Sequence, residues 1–157
     1  VYVAQISMGA NDAQTTRALL EADAWPRPSL VIAYSTCIAH GIDMSQSMAH
    51  QRDAVRSGYW PLYRFRPSEV DAGHPFKLDS AKPSIPIAQF AATETRFAVL
   101  GRTHPERASE LAVLAQADAD ERWHFYEQLA GLERTVPHVA PPAAPSAAPA
   151  PTDGGAS

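Results

Sequence analysis

The chain has 157 residues, 45% of them hydrophobic, with 13 Lys and Arg against 17 Asp and Glu for a formal net charge of −4. That length accommodates one ordinary domain with a core, and an acidic balance without clustered Lys and Arg argues against a nucleic-acid partner. No apolar run approaches the roughly 20 residues that span a bilayer, so no membrane association is expected.

The chain opens on Val1 rather than Met, without the basic, apolar and small-residue regions of a signal peptide. Val1–Ile6 is a short apolar run with β-branched residues, as expected of a strand covered on both faces. A chain that opens inside a strand reads as a piece of a longer one. Gly9-Ala10-Asn11 then punctuates it. Asn11 suits a helix N-cap, and Gln14 occupies the second position of a capping box. The helix should run through Ala18, Leu19, Leu20 and Ala22 and stop near Trp25, ahead of Pro26 and Pro28.

Ser29–Tyr34 is a second strand-like run, ending in the small, polar, turn-like Ser35–Gly41. Asp43 and Gln46 repeat the capping-box spacing. Met44, Met48 and Val55 fall on one side of the helix that follows, and Gly58 ends it. Trp60–Phe65 is a third candidate strand, with Pro61 favouring an edge or terminal position. This alternation predicts an α/β fold around a parallel sheet over residues 1–65.

Pro67, Pro75, Pro83 and Pro86 break the periodicity from Arg66 to Arg102, which reads as an extended arm with a short helix near Thr93–Leu100. Thr103–Leu132 is the clearest helix, with Thr103 and Glu106 as a capping-box pair and Pro105 in the first turn. Ala108, Leu111, Ala112, Ala115, Ala119, Trp123, Tyr126 and Ala130 trace one face of it, expected to pack on the rest of the subunit or on a dimer mate. Residues 66–133 thus form a mostly helical arm. Residues 134–157 are Pro- and Ala-rich with too little apolar content to offset ordering, and a disordered tail is expected there.

One cysteine excludes an internal disulfide and fits a reducing, cytoplasmic setting. Cys37 follows an apolar strand at its carboxyl end, where α/β sheets place ligands and catalytic groups. With His40 three positions on, it could be a thiolate nucleophile, a metal or cluster ligand, or an inert buried thiol. His50, His74, His104, His124 and His138 show no ligand spacing and read as surface or helix filler. Met8-Gly9-Ala10, between strand and helix, could present backbone N–H groups to an anion or merely connect two elements.

Tyr2–Asn11, Tyr34–Gly41 and Gly58–Arg64, with Pro75–Ser80 and Asp120–Trp123, resemble the end of pyruvate:ferredoxin (flavodoxin) oxidoreductases, from Val1 to about Leu132. The resemblance implies the carboxyl-terminal part of a thiamine diphosphate-binding domain followed by a terminal arm. It further implies oxidative decarboxylation of pyruvate with coenzyme A to acetyl-CoA and CO2. Electrons would leave through [4Fe–4S] clusters to ferredoxin or flavodoxin, with thiamine diphosphate and Mg²⁺ as further cofactors and a homodimeric complete enzyme. By that resemblance Cys37 is the fourth ligand of the cluster nearest the thiamine, and Met8, Gly9 and Ala10 lie near thiamine diphosphate or the cluster. The Gly-Asp-Gly and Asn-Thr-Gly-Gly segments and the other three cluster cysteines are absent from these residues, so the fragment alone is expected to be inactive. A relative acting on another 2-oxoacid, a non-catalytic binding or assembly module, and a small Cys37–His40 thiol enzyme are the alternatives.

Overall fold

The computed structural model describes residues 1–67 and 74–133; the tail expected at 134–157 lies outside them. Its elements in chain order are β1 (Tyr2–Ile6), α1 (Asp12–Asp23), β2 (Ser29–Ala33), α2 (Ser47–Arg56), β3 (Tyr63–Phe65), β4 (Phe76–Leu78), α3 (Ile87–Ala91), α4 (Thr95–Thr103) and α5 (Pro105–Gly131). The four strands form one sheet in the order β2-β1-β3-β4. The α/β class holds, but the sheet is mixed rather than parallel. Only β1 and β2 run parallel, joined across α1, whereas β3 is antiparallel to both β1 and β4.

The length and position of α2 account for that mixture. Its ten residues span about 15 Å, and they sit against the turn just past β1, where an added Cβ on Gly9 would meet Met48 and Gln51. Trp60 N–H donates to Ala54 O and Trp60 Nε1 to Ile6 O, so the chain re-enters the sheet at the end it left and must run back beside β1. The Arg66–Arg102 region is more than an extended arm. Phe76–Leu78 adds β4 to the sheet and α3 precedes α4. A three-residue strand between prolines carries no periodicity to read.

Tyr2, Ala4, Ile6 and Ala18 form the core between β1 and α1, with Ala22, Trp25 and Val31 packed against them. β1 is buried at four of its five positions, as its composition predicts. The Asn11 cap forms, its side chain accepting from Gln14 N–H at 2.8 Å, but the box does not close. The Gln14 side chain donates instead to Gln5 O and Asp79 Oδ2.

Arg64 is the polar counterpart of this core. Its side chain is 3% exposed, yet it bonds both oxygens of Asp79 at 2.7 and 2.9 Å and Glu21 Oε1 at 2.5 Å. Tyr2 Oη donates to the other Glu21 oxygen. A guanidinium buried mid-strand is tolerated only when its donors are met this way; the network ties α1, β3 and the segment after β4 together.

Two helix predictions are corrected in detail. Thr103 closes α4 rather than capping α5: its hydroxyl donates to Val99 O, and α5 starts at Pro105 without a side-chain cap. The expected apolar face of α2 is not its most buried one: Met44 precedes the helix and Val55 is only half-buried. Met44 and Met48 are exposed, while His50 and Ala54 are buried. The α5 face is largely as expected, with Ala119 and Trp123 buried but Leu111 exposed. It packs inside this chain. Tyr126 stacks on Phe76 at 5.9 Å and lies 5.3 Å from Tyr63, while Arg122 Nη2 reaches Gly58 O.

Candidate functional site

Because β1 and β2 are parallel, their carboxyl ends open on the same edge of the sheet, and the two segments singled out from the sequence both leave it there. The Met8–Asn11 turn leaves β1. Gly9 N–H and Ser7 Oγ both donate to Gln51 Oε1, at 3.0 and 3.1 Å, while the Ala10 and Asn11 amides donate to Ser7 O. All three N–H groups of Gly9, Ala10 and Asn11 are thus spent on the protein itself, so the turn is not an open anion cradle. What it presents is the Met8 side chain, 58% exposed.

Glycine is required at position 9 for space. An added Cβ would lie 2.9 Å from Met48 Cα and Met48 O, which cannot rotate away. Gly9→Ala should therefore push α2 off the turn at a cost of about 1–3 kcal/mol. Hydrogen exchange over Ser47–Arg56 reads this directly; exchange as slow as wild type would mean the helix has room to give.

Beyond β2 the chain passes through Tyr34, whose N–H still donates to Ile6 O, and then leaves the sheet. Cys37 lies in extended backbone just before a single turn of 3₁₀ helix, Ile38–His40, which Gly41 ends with a φ of 68°. The thiol is free and exposed, which removes the inert buried reading. Its backbone carbonyl accepts from His40 N–H, but the two side chains share no hydrogen bond, so no base is poised on the sulfur. Ile38, which follows it, is exposed, as are Met44 and Met48 further along the chain and Met8 on the turn after β1. Among the described residues no three His, Cys, Asp or Glu side chains come together as a metal site.

His50 is not the filler that its lack of ligand spacing implied. It is 6% exposed, with Nε2 at 3.1 Å from Glu94 Oε1 and 3.2 Å from Tyr34 Oη, and Nδ1 at 3.1 Å from Thr93 Oγ1. The Thr93 hydroxyl donates to Phe90 O, so Nδ1–H must be the donor to Thr93. Glu94 is fully buried, and its other oxygen pairs with Arg96. Burial, with Glu94 adding to it, pushes the Tyr34 phenol up to about 12, so it stays a neutral hydroxyl near neutral pH. No spacing in the sequence announces this group, because Tyr34, His50 and Glu94 belong to three separate segments.

No protein-family model matches the chain. It is 48% identical over 136 residues to a pyruvate-flavodoxin oxidoreductase of Trichormus variabilis and 46% identical over 132 residues to one of Rhodospirillum rubrum. It is also 44% identical over 131 residues to a pyruvate:ferredoxin oxidoreductase of Moorella thermoacetica. These matches cover 83 to 86% of this chain and 11% of each relative's length.

Proposed function

The chain is homologous to one segment of the pyruvate-flavodoxin and pyruvate:ferredoxin oxidoreductases, and on that footing we propose that it serves as part of an enzyme that oxidatively decarboxylates pyruvate. Coenzyme A takes up the acetyl group, giving acetyl-CoA and CO2, and two electrons pass to flavodoxin or ferredoxin. Thiamine diphosphate with Mg²⁺ would supply the electron sink for decarboxylation, and [4Fe–4S] clusters the path outward.

This chain's part in that work is limited by its donors. Cys37 contributes one thiolate to the cluster nearest the thiamine; its three partners must come from outside these residues. The exposed thiol at the carboxyl edge of the β1–β2 pair is the observation that carries this role. A soft sulfur donor that accepts no internal hydrogen bond is chemically suited to iron. Met8, Gly9 and Ala10 sit on the same edge. With the Gly9 and Ala10 amides engaged, they would shape the cofactor side and exclude water through Met8 rather than bind a phosphate. The complete enzyme is expected to be a cytoplasmic homodimer. Among the described residues no helix is long and apolar enough to cross a membrane.

Sequencing the reading frame upstream of Val1 tests this assignment. A Cys-x-x-Cys, a later single Cys, then Gly-Asp-Gly and Asn-Thr-Gly-Gly would supply the missing ligands and diphosphate site. A start codon a few residues before Val1 would overturn it. The Pro- and Ala-rich tail has no part in the chemistry proposed here. Deleting Pro141–Ser157 should leave pyruvate-dependent reduction of flavodoxin within about twofold of wild type, a rate change worth less than about 0.5 kcal/mol. A larger loss would give the tail a role.

A further inference from the structure

Nothing in the short segment around Cys37 holds the thiol itself, yet both ends of that segment are held by one stretch of chain from far along the sequence. At the near end, Tyr34 Oη lies 3.2 Å from His50 Nε2, which lies 3.1 Å from Glu94 Oε1. At the far end, Thr95 Oγ1 donates to Gly41 O at 2.9 Å. Gly41 approaches so closely that an added Cβ would fall 2.4 Å from Thr95 Cβ and Oγ1. Thr93 holds the second ring nitrogen of His50, so Thr93, Glu94 and Thr95 all take part. Between the two ends, Thr36 Oγ1 and Ser47 Oγ are 2.6 Å apart, which ties the residue before Cys37 to the start of α2.

The polar atoms of this arrangement are costly to bury and would serve no purpose as mere filling. Glu94 is fully buried, and the imidazole is oriented by both nitrogens at once. A buried pair so fully bonded adds little net stability over an apolar replacement, but it permits only one geometry. Its rigidity is passed to the segment that carries the free thiol. Tyr34 is further fixed by its ring contacts with Trp60 at 5.4 Å and His50 at 6.3 Å.

We infer that His50, Glu94 and Thr95 are positioning residues for Cys37, clamping Tyr34 and Gly41 so that the thiol is presented at a set place before any cluster is bound. The inference rests on the reading of Cys37 as a cluster ligand. A ligand to a cubane must meet iron at a defined distance while its three partners do the same, so positional freedom in the fourth thiolate would cost affinity and alter the cluster's surroundings.

The test uses the complete enzyme with Thr95→Val and Glu94→Gln. The Thr95 side chain is at the surface, so Thr95→Val should fold normally while losing the bond to Gly41 O. In enzyme prepared without iron, amides of Tyr34–Gly41 should exchange at least tenfold faster in both variants, with α5 exchanging as in wild type. In loaded enzyme the electron paramagnetic resonance signal of the cluster nearest the thiamine should change shape, and its midpoint potential should shift. Folded variants with wild-type exchange over Tyr34–Gly41 and a wild-type signal would overturn the clamp. A Cys37→Ser enzyme with undiminished iron would instead overturn the ligand assignment; the exchange result in iron-free protein is independent of it.

Discussion

Cys37→Ser in the complete enzyme is expected to lose the cluster nearest the thiamine, lowering bound iron by about four atoms per chain. A serine hydroxyl is a harder, far less acidic donor than a thiol, and neither Met44, Met48 nor Met8 can replace a thiolate. On the proposed assignment, pyruvate-dependent reduction of flavodoxin should fall to background, because the electron path would lose its first station. Iron analysis and electron paramagnetic resonance of the reduced enzyme check this together. An unaltered cluster signal would remove Cys37 from the ligand set. The loop itself should survive, since the sulfur is exposed and has no hydrogen-bond partner among the described residues, leaving little packing to lose.

Trp123→Ala should produce the largest structural effect. The indole is 6% exposed on the packed face of α5 and lines a cavity together with Pro83 and Pro86. Removing a buried indole typically costs about 3–5 kcal/mol through lost transfer energy and the cavity left behind. In a large enzyme that loss appears as local opening rather than global melting. Exchange of the amides around Ala119–Tyr126 should therefore accelerate at least a hundredfold, the equivalent of about 2.8 kcal/mol. The Tyr126 stack on Phe76 and Tyr63 would loosen with it, carrying the effect into β4. Exchange like that of wild type would show that α5 is held elsewhere.

The features legible in the sequence were those whose cause lies within a few residues. β1 and β2 are apolar runs of β-branched residues bounded by turn chemistry. α1 follows an Asn11 cap, and the long face of α5 repeats at helical spacing. Cys37 stood out because a strand end is recognisable locally and no second cysteine competes with it. Legibility failed where a polar residue answers to a distant one. Arg64 reads as part of a strand, and its burial makes sense only with Asp79, 15 residues away, and Glu21, 43 away. His50 lacks any ligand spacing and reads as filler, since Glu94 lies 44 residues on. Around α2 the apolar pattern misleads, because the buried positions go to His50 and a small Ala54 while Met48, and Met44 just before the helix, are exposed.

The α/β class, the place of each long element and the single thiol at a strand's carboxyl end follow from local chemistry, because hydrogen-bond period, caps and breakers act over one or two turns of chain. The antiparallel return of β3 beside β1, the bare Gly9 that lets α2 approach, and the contacts of the 93–95 segment with both ends of the Cys37 loop arise from packing between distant segments. Those outcomes depend on which segments meet after α2 closes over the end of the sheet, and on whether each buried charge finds its partner there. Neither condition leaves a local period for a sequence to show.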